Sequence, residues 1–505
     1  MPARVVMFQG TSSHAGKSVL TSAFCRLLKN KGFRVAPFKA VNMSNNAWVT
    51  CEGGEIAVAQ AAQARACGVE PTVLMNPVLL KTASDSTCQV ILLGKPIGVF
   101  RAADLAGLRD RLMEAIEASL QKLIHAYECV VIEGAGSPAE VNLKETDFAN
   151  MAIATMCQAP VILVADIERG GVFAQIVGTL ELLESKERDL IQGFIINKFR
   201  GDPGLLRSGV AWLEERTGRP VLGVIPFFPK LAIPEEDGLA QCLKTGQATD
   251  VTQPADASGG APIRIEVIRY PTISNFTDFE PFHQEPDVQV RYLTGPAADD
   301  SFPDLVILPG SKSTMADLTW MRRVGLDRYV QQCAQRGREI VGICGGFQML
   351  GKVIYDPSHV ESQESVMPGL SLLPTTTLFL STKVTAQVSG VHLMSQEPVR
   401  GYEIHMGRVQ GLRRGQPIFR LTDRGGTPVD ELDGCHSNQN EVWGTYLHGI
   451  FDNEGFRRRL LARLRPGRAD TGVAQTDPYE TLANSVREHL VLPKIRERIS
   501  WISSL

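Results

Sequence analysis

Val341-Gly342-Ile343-Cys344-Gly345-Gly346-Phe347-Gln348-Met349-Leu350-Gly351 passes from apolar residues through one cysteine and two glycines into a helix-like run. With Glu339-Ile340 in front of it, the order is strand, sharp turn, helix. That order suits a nucleophile on a strained strand-to-helix turn, where small neighbours admit unusual backbone angles and let a substrate come close. A helix starting just after Cys344 would bring its positive end to the sulfur and favour thiolate. A buried structural cysteine beside a Gly-rich turn is the competing reading, and a lone cysteine does not decide between the two.

The flanking sequence shifts the balance. Upstream, Asp304-Leu305-Val306-Ile307-Leu308-Pro309-Gly310-Ser311 reads as a strand ending in a tight turn. Its N–H groups near Gly310 and Ser311, with that of Gly345, are candidates for an oxyanion hole. Downstream, Val442-Trp443-Gly444-Thr445-Tyr446-Leu447-His448-Gly449-Ile450-Phe451 sets a histidine at the end of another apolar strand. Cys344 and His448 then make a thiolate–imidazole pair. Of nine histidines, His405 in Gly401-Tyr402-Glu403-Ile404-His405-Met406-Gly407 is the main rival.

At 505 residues the chain is too long for one ordinary core, so two or three domains are expected. Hydrophobic residues at 44% and charged residues at 21% mark a globular chain. A net charge of −3 supplies no global field toward nucleic acid or an anionic membrane, and neither is expected as a partner. Ten cysteines without CxxC pairs argue against a zinc site or disulfide framework and for a reducing cytoplasm. No signal-peptide architecture or bilayer-spanning apolar run is present, so the expected location is cytoplasmic.

The N-terminal half carries a second centre. Arg4 to Gln9 reads as a buried strand, followed by Gly10-Thr11-Ser12-Ser13-His14-Ala15-Gly16-Lys17-Ser18 and then by apolar residues at helical spacing. This is the context of a phosphate-binding loop: backbone N–H groups cradle phosphates, Lys17 neutralises β/γ charge and Ser18 binds Mg²⁺. Five residues, not the usual four, separate Gly10 from Gly16. Apolar runs at 33–38, 129–132, 160–165, 193–196 and 221–225, with helical patterns at 105–126 and 173–183, predict a mostly parallel sheet covered by helices. Ligands of such sheets gather at the strands' C-terminal ends, which singles out Lys39, Asn42, Glu133, Asp147, Asp166 and Asn197. Glu133 is placed to hold Mg²⁺ opposite Ser18, with Glu55 a second candidate. Lys39 and the amides to Asn46 form a group able to hold a carboxylate, or else a hydrogen-bonded turn.

Apolar periodicity fades from about 232 to 261, where Pro, Gly, Asp, Thr and Gln dominate. The expected organisation is a P-loop domain at 1–232, a linker at 233–261, a second α/β domain at 262–458 and a helical tail at 459–505. The basic run Arg457-Arg458-Arg459, where that tail begins, reads as a solvated helical face.

The strand-PGS turn, the GICGGFQ elbow and the YLHG segment together resemble a class I glutamine amidotransferase domain. The long phosphate loop resembles the dethiobiotin synthetase-like branch of P-loop NTPases. By the first resemblance Cys344 is the nucleophile of glutamine hydrolysis and His448 its base. The family usually has a glutamate two residues after the histidine, where this chain has Ile450. The third member is then absent or supplied by Glu403, Asp452 or water. The subgroup lacking that glutamate is found in cobyrinic acid and cobyric acid synthases. Residues 10–18, 39–46, 53–60, 75–81, 273–279, 308–318 and 401–407 resemble the cobyric acid synthases in one collinear order, with a departure at Lys81-Thr82, where the family more often has Lys-Pro.

That resemblance implies ATP- and glutamine-dependent amidation of the b, d, e and g carboxylates of adenosylcobyrinic acid a,c-diamide. It implies ATP with Mg²⁺ as a substrate complex and no tightly bound organic cofactor. It places Thr11, Gly16, Lys17, Ser18 and Asn197 at the nucleotide, Ser18, Glu55 and Glu133 at Mg²⁺, and Lys39, Asn42 and Asp147 near the corrinoid carboxylate. Two alternatives remain at this point. One is a cobyrinate a,c-diamide synthase. The other is a P-loop switch ATPase carrying an inactive amidotransferase fold used for binding.

Overall fold

Arg4–Gly10 forms strand β1 at the centre of a parallel sheet, and its alternating side chains enter two layers of core. Met7 packs on one face, and Val6 and Phe8 on the other. This is a computed structural model, and it describes residues 3–84, 87–228, 233, 261–297, 302–412, 415–437, 441–468 and 477–502. The sheet adds β2 (Val35–Phe38), β3 (Cys129–Glu133), β4 (Val161–Asp166), β5 (Ile191–Phe199) and β6 (Val221–Pro226) in the order β6-β5-β4-β1-β3-β2. All five pairings are parallel. The strands are buried on both faces, which is why they read as continuous apolar runs. Helix α1 (Lys17–Asn30) leaves the phosphate loop with Leu20, Phe24, Leu27 and Leu28 turned inward at helical spacing.

A second sheet of the same unit is built from Val41–Met43, Val78–Ser84, Thr87–Leu92 and Lys95–Arg101. The first pairing is parallel and the other two antiparallel. Its last hairpin turns on Leu93 and Gly94, both at positive φ (47° and 77°), the conformation a two-residue hairpin loop favours.

The chain divides into two compact units. One holds the described residues of Met1–Ser44, Glu55–Asp237 and Ala474–Leu505; the other holds those of Asn45–Gly54 and Gly238–Val473. The expected linker lies outside the described residues except at its ends. The described residues of the expected tail at 459–505 are divided between the two units. Helix Glu454–Leu464 belongs to the second unit, whereas Pro478–Glu488 returns to the first. The latter helix turns Tyr479, Leu482, Ala483 and Val486 into the same apolar layer as Phe24 and Leu28 of α1. Within the basic run, Arg459 is exposed as expected but Arg457 is not. Arg457 is buried, with Nε donating to Glu285 Oε1 at 2.9 Å and Nη1 to the Phe451 carbonyl at 2.7 Å.

The second unit has its own mostly parallel sheet. Strands β7 (Ile263–Ile268), β9 (Val288–Leu293), β10 (Leu305–Leu308), β12 (Glu339–Ile343), β15 (Cys435–His436) and β16 (Val442–Thr445) run in the order β9-β7-β10-β12-β16-β15, and only β15 is antiparallel. A short antiparallel pair lies beside it, β8 (Ile273–Ser274) with β11 (Gly310–Ser311). A separate sheet is dominated by the long antiparallel pair β13 (Thr376–His392) and β14 (Pro398–Gln410). Among the described residues no helix is long and apolar enough to cross a membrane.

Candidate functional site

In the second unit β12 ends in the elbow. Cys344 sits at φ 51° and ψ −106°, a strained pair of angles for a residue with a side chain, and the helix Gly345–Leu350 starts directly after it. The elbow is held by Cys344 N–H donating to the Thr445 carbonyl at 2.8 Å and Gly346 N–H to the Pro309 carbonyl at 3.0 Å. A Cβ at Gly346 would lie 1.9 Å from the Leu308 carbonyl oxygen, so no side chain fits there. A Cβ at Gly345 would lie 2.9 Å from Ser311 N, and one at Gly310 would lie 3.0 Å from His448 Cε1. Gly310, Ser311 and Gly345 therefore crowd around one spot beside the nucleophile and the imidazole.

His448 is buried, and its ring stacks on Tyr402 with centroids 5.4 Å apart. The carboxylate behind it is Asp278. Asp278 Oδ2 lies 2.7 Å from His448 Nδ1, and Oδ1 accepts the Gly449 N–H at 2.9 Å. This corrects the expectation that Glu403, Asp452 or water orients the imidazole. Glu403 instead accepts Arg424 Nε at 3.0 Å. With Nδ1 on Asp278, Nε2 is left for the thiol; Cys344 is among the groups that raise the imidazole pKa, and its Sγ lies 3.5 Å from the Ile404 carbonyl. Burial by itself would lower the imidazole pKa, but the Asp278 charge and its hydrogen bond outweigh that and, with Cys344, push it up to about 10. His405, the rival, turns Nδ1 to the Gly407 carbonyl at 2.8 Å and stacks on Tyr446, with ring centroids 3.7 Å apart.

Asp278→Asn preserves size but removes the charge. It is expected to cut glutamine hydrolysis by roughly 10³–10⁴-fold, the scale seen when a triad loses its orienting carboxylate. The sign of the pH effect on stability follows from the raised imidazole pKa. The His448–Asp278 contribution is fully present below the ordinary value near 6.5 and is lost as pH rises through about 10. Denaturant unfolding of the two proteins across that window is expected to show the wild-type advantage shrinking toward alkaline pH. An advantage that grew with pH would contradict the assignment.

In the first unit the phosphate loop is preshaped. Gly16 takes φ 94°, and a Cβ there would lie 2.0 Å from Asn197 Nδ2. Asn197 Nδ2 donates to the Ala15 carbonyl at 2.9 Å, and Lys198 Nζ donates to the His14 carbonyl at 2.7 Å. The predicted nucleotide residue Asn197 thus braces the loop itself. Lys17 Nζ reaches the carbonyls of Ser12 (3.2 Å) and Gly136 (2.9 Å), and Thr11 Oγ1 donates to Gln175 Oε1 at 3.1 Å. Ser18 Oγ donates to Glu133 Oε1 at 2.8 Å, while Lys39 Nζ lies 3.0 Å from the same oxygen. Gln63 Nε2 donates to Glu133 Oε2 at 2.5 Å. Burial would raise the Glu133 pKa, but the Lys39 ammonium, the Ser18 hydroxyl and Lys17 hold it below its ordinary value. Removing either partner of this buried pair would leave the other charge without its main counter-ion, at a cost of about 3–5 kcal/mol.

A hydroxyl and an ionised carboxylate in contact at a loop built for phosphates fit a nucleotide-bound Mg²⁺, which takes one or two protein oxygens and completes its shell with phosphates and water. Among the described residues no group of three His, Cys, Asp or Glu side chains forms a metal cage. Glu55, expected beside Ser18 and Glu133, closes a buried ion pair with Lys81 at 2.6 Å. Asn42 Nδ2 donates to Gln60 Oε1 at 2.6 Å. Asp147 accepts the N–H groups of Ala149, Asn150 and Ala152 at 2.9, 2.9 and 3.0 Å, holding the start of the following helix. Asp166 accepts Lys198 Nζ at 3.1 Å and the Glu168 N–H at 2.8 Å. Sequence reasoning missed Asp278, Gln63 and Gln175 at these centres.

Residues 6–240 match the CobQ/CobB/MinD/ParA nucleotide-binding domain family, and residues 264–456 match the CobB/CobQ-like glutamine amidotransferase domain family. A cobyric acid synthase of Moorella thermoacetica is 47% identical over 98% of this chain and 96% of its own length. One from Carboxydothermus hydrogenoformans is 47% identical over 98% and 99%, and one from Chloroflexus aurantiacus 47% identical over 99% of both chains. Similarity at this level along nearly the whole length, with both centres in place, means that the chain belongs to the cobyric acid synthase family.

Proposed function

We propose that this chain uses ATP and glutamine to convert the b, d, e and g carboxylates of adenosylcobyrinic acid a,c-diamide into carboxamides, giving adenosylcobyric acid. The observation that carries the reading is the pairing in one chain of a phosphate loop at Lys17 and Ser18 with a Cys344–His448–Asp278 line. Cys344 Sγ attacks the side-chain amide carbon of glutamine, and the tetrahedral oxyanion is held by backbone N–H groups near Ser311 and Gly345. His448 gives the leaving nitrogen its proton, then takes one from the water that cleaves the thioester to glutamate. Asp278 keeps the imidazole oriented and stabilises its charged form.

A corrinoid carboxylate is a poor electrophile and must first become an acyl phosphate. Its oxygen attacks the γ-phosphorus of ATP and ADP leaves. Lys17 and the loop amides stabilise the transferring phosphoryl group, and Lys39 is placed to hold the attacking carboxylate. Ser18 and Glu133 would hold Mg²⁺ from the protein side, and the ion would supply neutralising charge to the phosphates. Ammonia then attacks the acyl carbon, and phosphate departs to leave the carboxamide. The chemistry takes place in the cytoplasm on small-molecule substrates only.

The reading as a switch ATPase with an inert amidotransferase rested on Ile450 standing where a glutamate is usual. Asp278 behind His448 removes that footing. Product mass tests the reading. Incubation of the a,c-diamide with ATP and glutamine is expected to give four carboxyl-to-carboxamide conversions. Conversion of cobyrinic acid with the a,c-diamide left untouched would assign the chain to the earlier amidation instead.

A further inference from the structure

We propose that Asp317 is a positioning residue for glutamine hydrolysis, clasping together the segment that carries the oxyanion donors and the segment that carries the carboxylate behind His448. It rests on the glutaminase reading above. Asp317 lies on the helix Thr314–Arg323 and is 1% exposed. Its Oδ2 accepts two hydroxyls, from Ser311 Oγ at 2.6 Å and Thr272 Oγ1 at 2.7 Å. Its Oδ1 accepts the Thr272 N–H at 3.2 Å. The two hydroxyl oxygens in turn both accept the Ser313 N–H, each at 3.1 Å. Thr272 O takes the Lys312 N–H at 2.9 Å.

The position of the clasp gives it meaning. Ser311 ends β11, and its nitrogen lies against Gly345 of the elbow. Thr272 directly precedes β8, from which the chain turns through Asn275 at φ 53° to reach Asp278. The β8–β11 pair is only two residues per strand. So short a ladder is weak by itself, and the shared buried acceptor is what ties its open end. Burial raises the Asp317 pKa, partly countered by Ser311 and Thr272. A carboxylate is acceptor-only, so it takes all three donors at once; an amide in its place must turn a donor toward one of them.

Oxyanion stabilisation acts in the transition state, so a small displacement of Ser311 lowers kcat more than it raises KM. Asp317→Asn is therefore expected to lower glutaminase kcat by roughly 10–10²-fold with KM nearly unchanged. The same protein is expected to amidate from free ammonia at the wild-type rate. Ser311→Ala and Thr272→Val each remove one hydroxyl, with its bond to Asp317 and its bond from the Ser313 N–H, and are expected to lower kcat several-fold, less than additively with Asp317→Asn. These milder variants carry the test if Asp317→Asn does not fold. Unchanged kcat in the folded variants, or ammonia-driven and glutamine-driven rates falling in parallel, would overturn the clasp. A wild-type protein without glutaminase activity would instead overturn the reading beneath it.

Discussion

Cys344→Ser is expected to lower glutamine-dependent amidation by at least about 10³-fold and to leave ammonia-driven amidation near the wild-type rate. Serine is close to isosteric, and Cys344 is buried in an elbow held by the Thr445 and Pro309 carbonyls, so the turn should survive the change. What is lost is the nucleophile. A hydroxyl at this position is a far weaker attacking group than a thiol paired with the raised-pKa imidazole of His448. Ammonia supplied in solution bypasses this centre and needs only the phosphate-loop half. Parallel assays with glutamine and with ammonium salt at a pH that leaves some free ammonia separate the two steps. Loss of the ammonia-driven rate in a folded Cys344→Ser protein would break the proposed division of labour.

Lys17→Ala is expected to remove both routes, by roughly 10²–10⁴-fold. The Lys17 ammonium is buried at the end of the phosphate loop and already aimed by the Ser12 and Gly136 carbonyls. Phosphoryl transfer relies on positioned charge, and alanine supplies none at this point. ADP formation and corrinoid mass report the loss, and circular dichroism controls for folding. An ammonia-driven rate within a few-fold of wild type would show that the carboxylate is activated elsewhere.

What the sequence disclosed follows the range of each interaction. The elbow and the phosphate loop are local: strand, glycines and helix lie within a dozen residues, and Cys344 and Gly16 take the unusual angles those neighbours permit. Asp278 is separated from His448 by 170 residues, and nothing in its own neighbourhood marks it as a partner. Its stretch, residues 273–279, stood out only by resemblance. The partner of Glu55 was hidden for a related reason, because Lys81 arrives from a separate sheet to pair with it. Asp147 shows a different limit. A carboxylate just before a helix is a capping signal as well as a ligand signal, and here three backbone amides claim it. Arg457 looked solvated because charge runs usually are, and tertiary packing against Glu285 decided otherwise.

The ten-residue loan of Asn45–Gly54 to the second unit has a practical consequence. Ala47 exchanges two backbone hydrogen bonds with the Asn275 side chain, whose amide also donates to Tyr402 Oη at 2.9 Å. Trp48 packs on the Tyr402 ring, 4.7 Å between centroids, and Tyr402 in turn faces His448. A gene split at residues 233–261 would leave that strand on the wrong fragment. The isolated C-terminal piece would then expose Asn275 and Tyr402, each one hydrogen bond from its own machinery, at Asp278 and His448 respectively, so the two activities of this chain do not form a pair of modules that can be cloned apart by a single cut.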